Sequence, residues 1–568
     1  MLRLASLLAI FTLSGSLFAT DLAEALPLSD RWIMIHIDDG HVIHHKKGQK
    51  RSEEKAIVTP LDTARADKPA TWTITSADDP AYKDGKAPAR VGRKSKGTDF
   101  AWLCEKWENG RTVNVSPDHA KEHWIYLELP SPLKRGASYG ISCGTLLPAD
   151  FKLTFKFDEK SARSDAVHVN LIGYPIDAPK YGYIYQWMGD ADCLDVKPLV
   201  GKQFDVVDPA TGKSVFSGKV AFRAPKTQAE TQHAVDSPPN GNFLKADVAE
   251  CDFSALTQPG KYVLAVESVG CSYPFTIGAD VYREAYITTT RGLYHNRSGI
   301  ELKKPYTEFE RPAPHNPKLT PGFAGKLVYT KSRFIDWKNG DNDPADKPAI
   351  EAGIVGPLDS AGWYQDAGDW DSYDAHLNVP NVLMLAYELA PQNFKDGELN
   401  IPESGNGVPD ILDEAAWLPR FCARLRAELQ QKKYGTGGIG LRICGDHFGG
   451  DGDGVPSYLD THRQWIASGE DPLSTYHYAA VAAQMAWCLK KAAVADPEKI
   501  DWLKEAVESY RWADANTKPE DEKKYAQQLK ELRAYAAAAL FRLTGEAQYQ
   551  ERLAKETAWI TPTTLIWH

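Results

Sequence analysis

The sequence predicts a multidomain protein in which β-sandwich domains precede an all-α domain, and three observations lead to this fold class. The chain has 568 residues, which exceeds one ordinary domain. Short runs that alternate apolar and polar residues occupy the first half, between clusters of Gly, Pro and Asp. After Asp280 the apolar residues instead recur with helical spacing.

Residues 1–20 are typical of a signal peptide. Arg3 supplies a positive n-region, residues 4–13 an apolar h-region, and small residues lead to a cleavage site near Ala19. The apolar stretch is too short to span a bilayer, and no later stretch of the sequence is long enough. We therefore expect a secreted or periplasmic protein without a membrane span.

Two β-rich units are predicted next. Residues 21–165 contain alternating runs such as 32–37 and 123–129, which suit an antiparallel sandwich of unknown role. Residues 166–278 contain about seven short strands, a number and spacing typical of an immunoglobulin-like sandwich. Binding and spacer roles are both open for the first of these units.

Residues 279–568 form the predicted all-α domain. Helical periodicity covers residues 281–297, 374–390, 410–431, 474–494, 499–514, 521–543 and 546–558. Long loops rich in Gly, Pro and Asp join these helices, and functional residues usually lie on such loops. The sequence shows no repeat of fixed short period, which disfavours a helical solenoid.

Composition narrows the class of partner. The net charge of −10, from 66 basic and 76 acidic side chains, argues against a nucleic acid as the binding partner. The 16 Trp and 25 Tyr residues suit carbohydrate binding, because flat rings pack against pyranose faces, although cores use the same rings. The 8 cysteines include no Cys-x-x-Cys pair, and Cys251 with Cys271 is a plausible disulfide. The oligomeric state cannot be read from the sequence.

The strongest functional signal is the segment 360–371, which contains Asp366 and Asp369. Gly362 and Gly368 let the backbone bend there, and aromatic residues lie on both sides. A water molecule held between two such carboxylates can lose a proton to one while the other orients it. A helix N-cap with a surface turn is the alternative, but solvated turns seldom carry so many aromatic residues.

Five blocks of the sequence resemble glycoside hydrolase family 9, the inverting cellulases with an (α/α)6 barrel. They are the Asp-Ala-Gly-Asp run at 366–369 and the segments 376–391, 401–414, 471–480 and 535–545, in the family's order. The unit at 166–278 is similar to the immunoglobulin-like domain that precedes many bacterial members. The resemblance implies an enzyme that cleaves β-1,4-glucan in a polysaccharide or oligosaccharide.

The resemblance also implies roles for individual residues. Asp369 corresponds to the catalytic base, and Asp366 to the residue that helps to hold the attacking water. We expect Trp370, Tyr364 and Trp465 to contact the substrate. For Trp465, packing of its loop onto the barrel is an equally open alternative.

The family's general acid has no counterpart in the sequence. Inversion requires an acid and a base roughly 6.5–9.5 Å apart, on opposite sides of the glycosidic bond. Glu414 and Glu470 are the nearest candidates, and a role for Glu414 near the start of a helix is the better expectation. The helices are also fewer than the barrel requires, so we expect an (α/α)6 barrel that is incomplete at its C-terminal side, and an inactive fragment.

No cofactor is required, no residue is assigned to a metal, and a structural calcium ion has weak support. Lys530 and Glu531 stand where many family members have an Asp-Glu pair that helps to bind calcium. The acidic, Gly-rich stretch 446–454 does not have the spacing of an EF-hand loop.

Two classes of function follow from the sequence. One is an exported hydrolase of β-1,4-glucan. The other is a non-catalytic glycan-binding or scaffold protein with a degenerate hydrolase module. A helical polysaccharide lyase or epimerase is disfavoured by the immunoglobulin-like unit together with the Asp pair.

Overall fold

The computed structural model describes residues 22–46, 53–103, 106–108, 111–113, 116–148, 151–228, 242–338, 343–366, 372–447 and 456–558. It divides the chain into two compact units, Met1–Arg283 and Glu284–His568. The predicted signal peptide, residues 1–20, lies outside the described residues. Of the helices in the described ranges, none has the length and apolar character that a membrane span requires.

The first unit begins with antiparallel sheets, as predicted. Its first elements are β1 (Leu22–Ser29), β2 (Trp32–Asp38), β3 (Gly40–Ile43), β4 (Lys55–Val58), α1 (Thr63–Ala66), β5 (Thr73–Thr75), β6 (Arg90–Leu103), β7 (Lys106–Glu108), β8 (Arg111–Val113), β9 (Ser116–Glu128), β10 (Ser138–Ser142) and β11 (Leu153–Lys156). A four-stranded sheet has the order β1-β2-β9-β6, and a three-stranded sheet the order β11-β10-β5. Trp72, Tyr82 and Tyr139 lie in the core with the apolar side chains of β2 and β9.

The immunoglobulin-like region follows in the same unit. Its strands are β12 (Val167–His168), β13 (Tyr181–Ile184), β14 (Gln203–Asp208), β15 (Lys213–Lys219), β16 (Ala221–Ala224), β17 (Val248–Asp252), β18 (Gly260–Val266), β19 (Gly270–Cys271) and β20 (Phe275–Ile277). One sheet has the order β12-β13-β17-β16 and the other β15-β14-β18-β19, with β20 beside β18. The core around Phe204, Phe253 and Phe275 continues to Trp32 and Tyr126 of the preceding sheet. The two β regions therefore share a core.

The expected disulfide between Cys251 and Cys271 is wrong, because both thiols are free. Cys251 belongs to the core between the two sheets, whereas Cys271 packs with Val207 and Val263 in a separate cluster. Burial raises the pKa of both thiols, that of Cys271 to about 11.

The second unit contains the predicted helices. They are α2 (Arg283–His295), α3 (Lys347–Ala352), α4 (Asn378–Leu389), α5 (Asp410–Gln431), α6 (Pro472–Ala492), α7 (Trp502–Asn516), α8 (Pro519–Lys524), α9 (Ala526–Thr544) and α10 (Ala547–Thr557). Each of the seven stretches with helical periodicity contains a helix, so those predictions are confirmed. Helix α6 is buried on most sides and packs against α4, α5, α7 and α9, as expected of an apolar helix in a domain interior.

A small mixed sheet joins the loops of the second unit, and the sequence did not predict it. Its strands are β21 (Leu327–Thr330), β22 (Ile354–Pro357), β23 (Ile443–Gly445) and β24 (Trp465–Ala467). Their order is β22-β21-β24-β23, and β21 runs parallel to β24. These strands have only three or four residues each, which is too few for a clear alternating pattern.

Candidate functional site

The first half of the Asp-rich segment, residues 360–371, is held by backbone hydrogen bonds. The Ser298 amide donates to the Trp363 carbonyl at 2.8 Å, and the Gln365 amide donates to the Asn296 carbonyl at 3.0 Å. The Asn296 side-chain amide also donates to the Gln365 carbonyl. Asp366 follows directly, with 45% of its side chain exposed. A carboxylate on a fixed backbone, open to solvent, is suited to orient a water molecule.

The chain that leaves the segment is held in a similar way. The Ser372 amide donates to the Ile443 carbonyl at 3.0 Å, and the Ser372 carbonyl accepts from the Ile443 amide at 3.1 Å, which attaches the chain to β23. The Arg442 guanidinium lies 3.7 Å from the ring centroid of Tyr373. Asp369 and Trp370, between these two anchors, lie outside the described residues, so their predicted roles stay predictions.

His376 lies beside Asp366. Its Nε2 atom is 3.7 Å from Asp366 Oδ1, and 19% of the His376 side chain is exposed. Burial lowers the pKa of His376, although the Asp366 carboxylate opposes this shift. A neutral imidazole at this position leaves the Asp366 charge available to a water molecule.

Tyr364 does not line a substrate cleft in the structure, which corrects the expectation that it binds substrate. Its side chain is 3% exposed, and its hydroxyl donates to Glu414 Oε1 at 2.6 Å. Burial and then the Glu414 charge raise its pKa well above the ordinary value. Because Tyr364 lies two residues before Asp366, this hydrogen bond fixes the backbone of the Asp-rich segment instead.

A buried arginine organises the surroundings of Tyr364. Arg297, two residues after the end of α2, is fully buried and contacts Glu414 at 3.0 Å and Glu403 at 2.9 Å. Its guanidinium also lies 4.5 Å from the Trp417 ring centroid. Burial alone would lower the pKa of Arg297, but the two carboxylates raise it above its usual range. Sequence reasoning missed this group, although both glutamates lie within the 401–414 block.

Trp465 is also buried, and this corrects its expected role in stacking on a sugar. The residue is 0% exposed, with its ring centroid 4.1 Å from that of His315 and 6.1 Å from that of Trp363. It begins β24 in the small mixed sheet. The packing alternative therefore explains this residue.

Replacement of Trp465 by phenylalanine is expected to lower the free energy of unfolding by about 1–3 kcal/mol, because the smaller ring leaves a void in a packed core. Its affinity for cellohexaose, measured by titration calorimetry, should stay within about twofold, less than a lost stacking contact would cost. Trp370→Phe is the control. Because Trp370 is predicted to contact the sugar, this change should weaken the affinity for cellohexaose without lowering the free energy of unfolding. Weaker binding without loss of stability in Trp465→Phe would contradict this assignment.

The two glutamates considered as general acids are both engaged. Glu414 is fully buried, and its two oxygens contact Arg297 and Tyr364. Glu470 accepts hydrogen bonds from the amides of Thr436 at 2.7 Å and of Gly437 and Gly438 at 2.8 Å. Neither side chain presents a free carboxyl group. The expected role of Glu414 in the first turn of α5 is therefore corrected, because its carboxylate pairs with Arg297 and Tyr364 instead.

The described residues contain no group of three or more His, Cys, Asp or Glu side chains that could hold a metal ion. Most of the acidic stretch at 446–454 lies outside the described residues.

Several curated proteins are similar to parts of the chain. Endoglucanase D of Acetivibrio thermocellus is 28% identical over 210 residues, which are 37% of this chain and 29% of that protein. The xyloglucan-specific endo-β-1,4-glucanase of Bacteroides ovatus is 24% identical over 360 residues, 61% of this chain and 51% of that protein. The chain thus spans between 29% and 51% of the length of these two relatives.

Solved structures share the fold. A metagenome-derived glycoside hydrolase family 9 endoglucanase matches with a TM-score of 0.51 and 24% identity, over 70% of this chain and 65% of that one. A Bacteroides ovatus family 9 protein matches with a TM-score of 0.50 and 21% identity, over the same shares of the two chains.

Two family models match consecutive parts of the chain. The cellulase N-terminal ig-like domain matches residues 162–271, which contain β12 to β19. The model of glycosyl hydrolase family 9 matches residues 282–565, which is half of the chain and includes the Asp-rich segment and α2 to α10. The chain therefore belongs to glycosyl hydrolase family 9, whose hydrolase domain is an (α/α)6 barrel.

Proposed function

We propose that this chain carries the catalytic base of an exported enzyme that hydrolyses β-1,4-glucan with inversion at the anomeric carbon. The observation that carries the proposal is the Asp-rich segment, anchored at Gln365 and Ser372, with the Asp366 carboxylate open to solvent. The endoglucanase names of the relatives support the substrate class. The predicted signal peptide supports export, and the chemistry proposed here needs no cofactor.

The proposed reaction begins with a water molecule between Asp366 and Asp369. Asp369 accepts a proton from this water as its oxygen forms a bond to the anomeric carbon, and Asp366 orients the water. The bond from the anomeric carbon to the leaving oxygen breaks, and that oxygen takes a proton from an acid on the opposite side of the sugar. The product therefore has the α configuration at the new anomeric hydroxyl.

We further propose that neither Glu414 nor Glu470 is this acid. Both carboxylates are occupied by partners that hold the fold together, Glu414 by Arg297 and Glu470 by three backbone amides. A site that has its base but not its acid can still act on a substrate whose leaving group departs without protonation. Fluoride is such a leaving group, because it is a weak base.

A comparison of two substrates tests this proposal on the 568-residue chain. We expect the chain to hydrolyse β-cellobiosyl fluoride and to leave methyl β-cellobioside intact, as followed by fluoride release and by chromatography of the sugars. Cleavage of the methyl glycoside would show that an acid is present and would contradict the missing-acid proposal. No hydrolysis of either substrate, in a chain that still binds cellohexaose, would favour the glycan-binding alternative.

That alternative has one observation in its favour, the engagement of Glu414 and Glu470. In a glycan-binding protein with a degenerate hydrolase module, Asp366 would serve as a hydrogen-bond acceptor for sugar hydroxyls. The fluoride substrate separates the two functions, because binding alone releases no fluoride.

A further inference from the structure

We propose that the first unit carries a saccharide-binding cleft between its N-terminal four-stranded sheet and its immunoglobulin-like sandwich. The cleft has a volume of about 360 Å³. Its walls include Lys94, Trp124, Asp165, His168, Gln186 and Tyr273. The inference goes beyond the proposed hydrolysis, which concerns the other unit; only the choice of a glucan as the first probe rests on that proposed function.

The floor of the cleft is a lysine surrounded by aromatic rings. Lys94 on β6 is paired across the sheet with Trp124 on β9. Its Nζ atom lies 4.9 Å from the ring centroid of Trp124, 5.8 Å from that of Tyr126 and 5.9 Å from that of Trp187. Such rings stabilise an ammonium group through their faces but accept no ordinary hydrogen bond.

The ammonium group of Lys94 is available to a ligand. Burial lowers the pKa of Lys94, and among the described residues none forms a hydrogen bond with its Nζ atom. A half-buried ammonium group without an acceptor favours a ligand that supplies oxygen atoms. Asp165 and Gln186 add an acceptor and a donor to the same cleft.

Two exposed rings lie at the edge of the floor. Trp187 is 41% exposed and Tyr273 is 50% exposed, well above what a core residue shows. Trp187 contributes to the group of rings around Lys94, and Tyr273 lines the cleft, with the Arg163 guanidinium 4.7 Å from its ring centroid. Aromatic rings with exposed faces, beside polar groups, match the apolar faces and the hydroxyl rims of pyranose rings.

The polar groups in the cleft favour a sugar. Asp165 is paired with Arg163, and both Asp165 and Lys96 lie close enough to influence the charge of Lys94. An apolar peptide would leave the Lys94 ammonium group without an acceptor, whereas sugar hydroxyls supply oxygen atoms. A neutral pyranose oligosaccharide satisfies both the rings and the polar groups.

Titration calorimetry on the full chain tests the cleft, in an Asp369→Asn background that prevents cleavage of the probe. The probes are cellohexaose, xylohexaose, mannohexaose and an oligogalacturonate. We expect one of the neutral probes to bind, and the double variant Trp187→Ala/Tyr273→Ala to weaken that binding at least about tenfold through loss of aromatic contacts. The variant Lys94→Met should weaken it as well, because the ligand oxygens lose a charged donor.

Phe222→Ala is the matched control, since Phe222 on β16 is also 41% exposed and belongs neither to the cleft lining nor to the rings around Lys94. It should bind the neutral probe as the parent does, and the thermal unfolding of all variants should be similar. With Asp369 intact, Trp187→Ala/Tyr273→Ala should release fluoride from β-cellobiosyl fluoride at the parental rate. This result separates the cleft from the proposed hydrolysis. Trp187→Ala/Tyr273→Ala should lose binding of the neutral probe and keep fluoride release, whereas Asp369→Asn should lose fluoride release and keep that binding.

Three results would overturn the inference. The first is that none of the neutral probes binds to the parent. The second is that Trp187→Ala/Tyr273→Ala binds the neutral probe with the parental affinity, or that Phe222→Ala loses as much affinity as this double variant. The third is preference for the oligogalacturonate, with binding that disappears at high salt, which would identify an anion site in place of a neutral-sugar cleft.

Discussion

Replacement of Asp369 by asparagine is expected to lower the rate of β-cellobiosyl fluoride hydrolysis by about 10²- to 10⁴-fold, the contribution typical of a general base. The amide has nearly the shape of the carboxylate but cannot accept the proton of the attacking water. Fluoride release at saturating substrate measures the change. Cellohexaose affinity should be retained, because the substitution removes proton transfer and preserves the site's shape.

Asp359→Asn is the matched control for this prediction. Asp359 lies just before the Asp-rich segment, but its side chain is 57% exposed and pairs with Lys432 on the surface. Its replacement should leave fluoride release within about twofold of the parental rate, since an exposed ion pair contributes little to stability. Equal rates in Asp369→Asn and in the parent would rule out Asp369 as the base.

Replacement of Arg297 by methionine is expected to lower the free energy of unfolding by about 3–5 kcal/mol. The change leaves Glu414 fully buried without its counter-charge and also removes a partner of Glu403. Chemical denaturation of the full chain, followed by tryptophan fluorescence, measures the loss. Because Glu414 also holds the Tyr364 hydroxyl, fluoride release should fall as well.

The surface pair of Arg424 and Glu498 provides the control for the buried pair. Its side chains are 37% and 44% exposed, so Arg424→Met should cost only about 0–1 kcal/mol. Adding Glu414→Gln to Arg297→Met should recover part of the lost stability, because a neutral amide needs no counter-charge. Losses of similar size at Arg297 and Arg424 would contradict the account of the buried pair.

The helices could be predicted because each one buries a face, and burial imposes a 3.6-residue period on the sequence. Helix α5, for example, has the predicted bounds of 410–431. The strands β21 to β24 could not be predicted, because each is three or four residues long and its partners lie far away in the chain. Their pairing depends on tertiary structure, which leaves no local pattern.

The catalytic roles of Asp366 and Asp369 stay predictions, whereas the exposure of the other candidate side chains can be compared with the structure. Asp366 is open to solvent as a water-binding carboxylate must be. Aromatic rings often bind sugars, but residue type does not reveal exposure, and both Tyr364 and Trp465 are buried. The contact between Arg297 and Glu414 joins residues 117 positions apart, so no local spacing indicated it.

The central claim is that an activated water molecule displaces the leaving group with inversion. The anomeric configuration of the first product tests this claim most directly. Proton NMR of β-cellobiosyl fluoride with the chain, recorded before mutarotation, distinguishes the two anomers of cellobiose. The account predicts that α-cellobiose accumulates first in the parent and that its formation nearly ceases in Asp369→Asn. Initial formation of β-cellobiose would contradict it, because retention requires a covalent intermediate at the anomeric carbon.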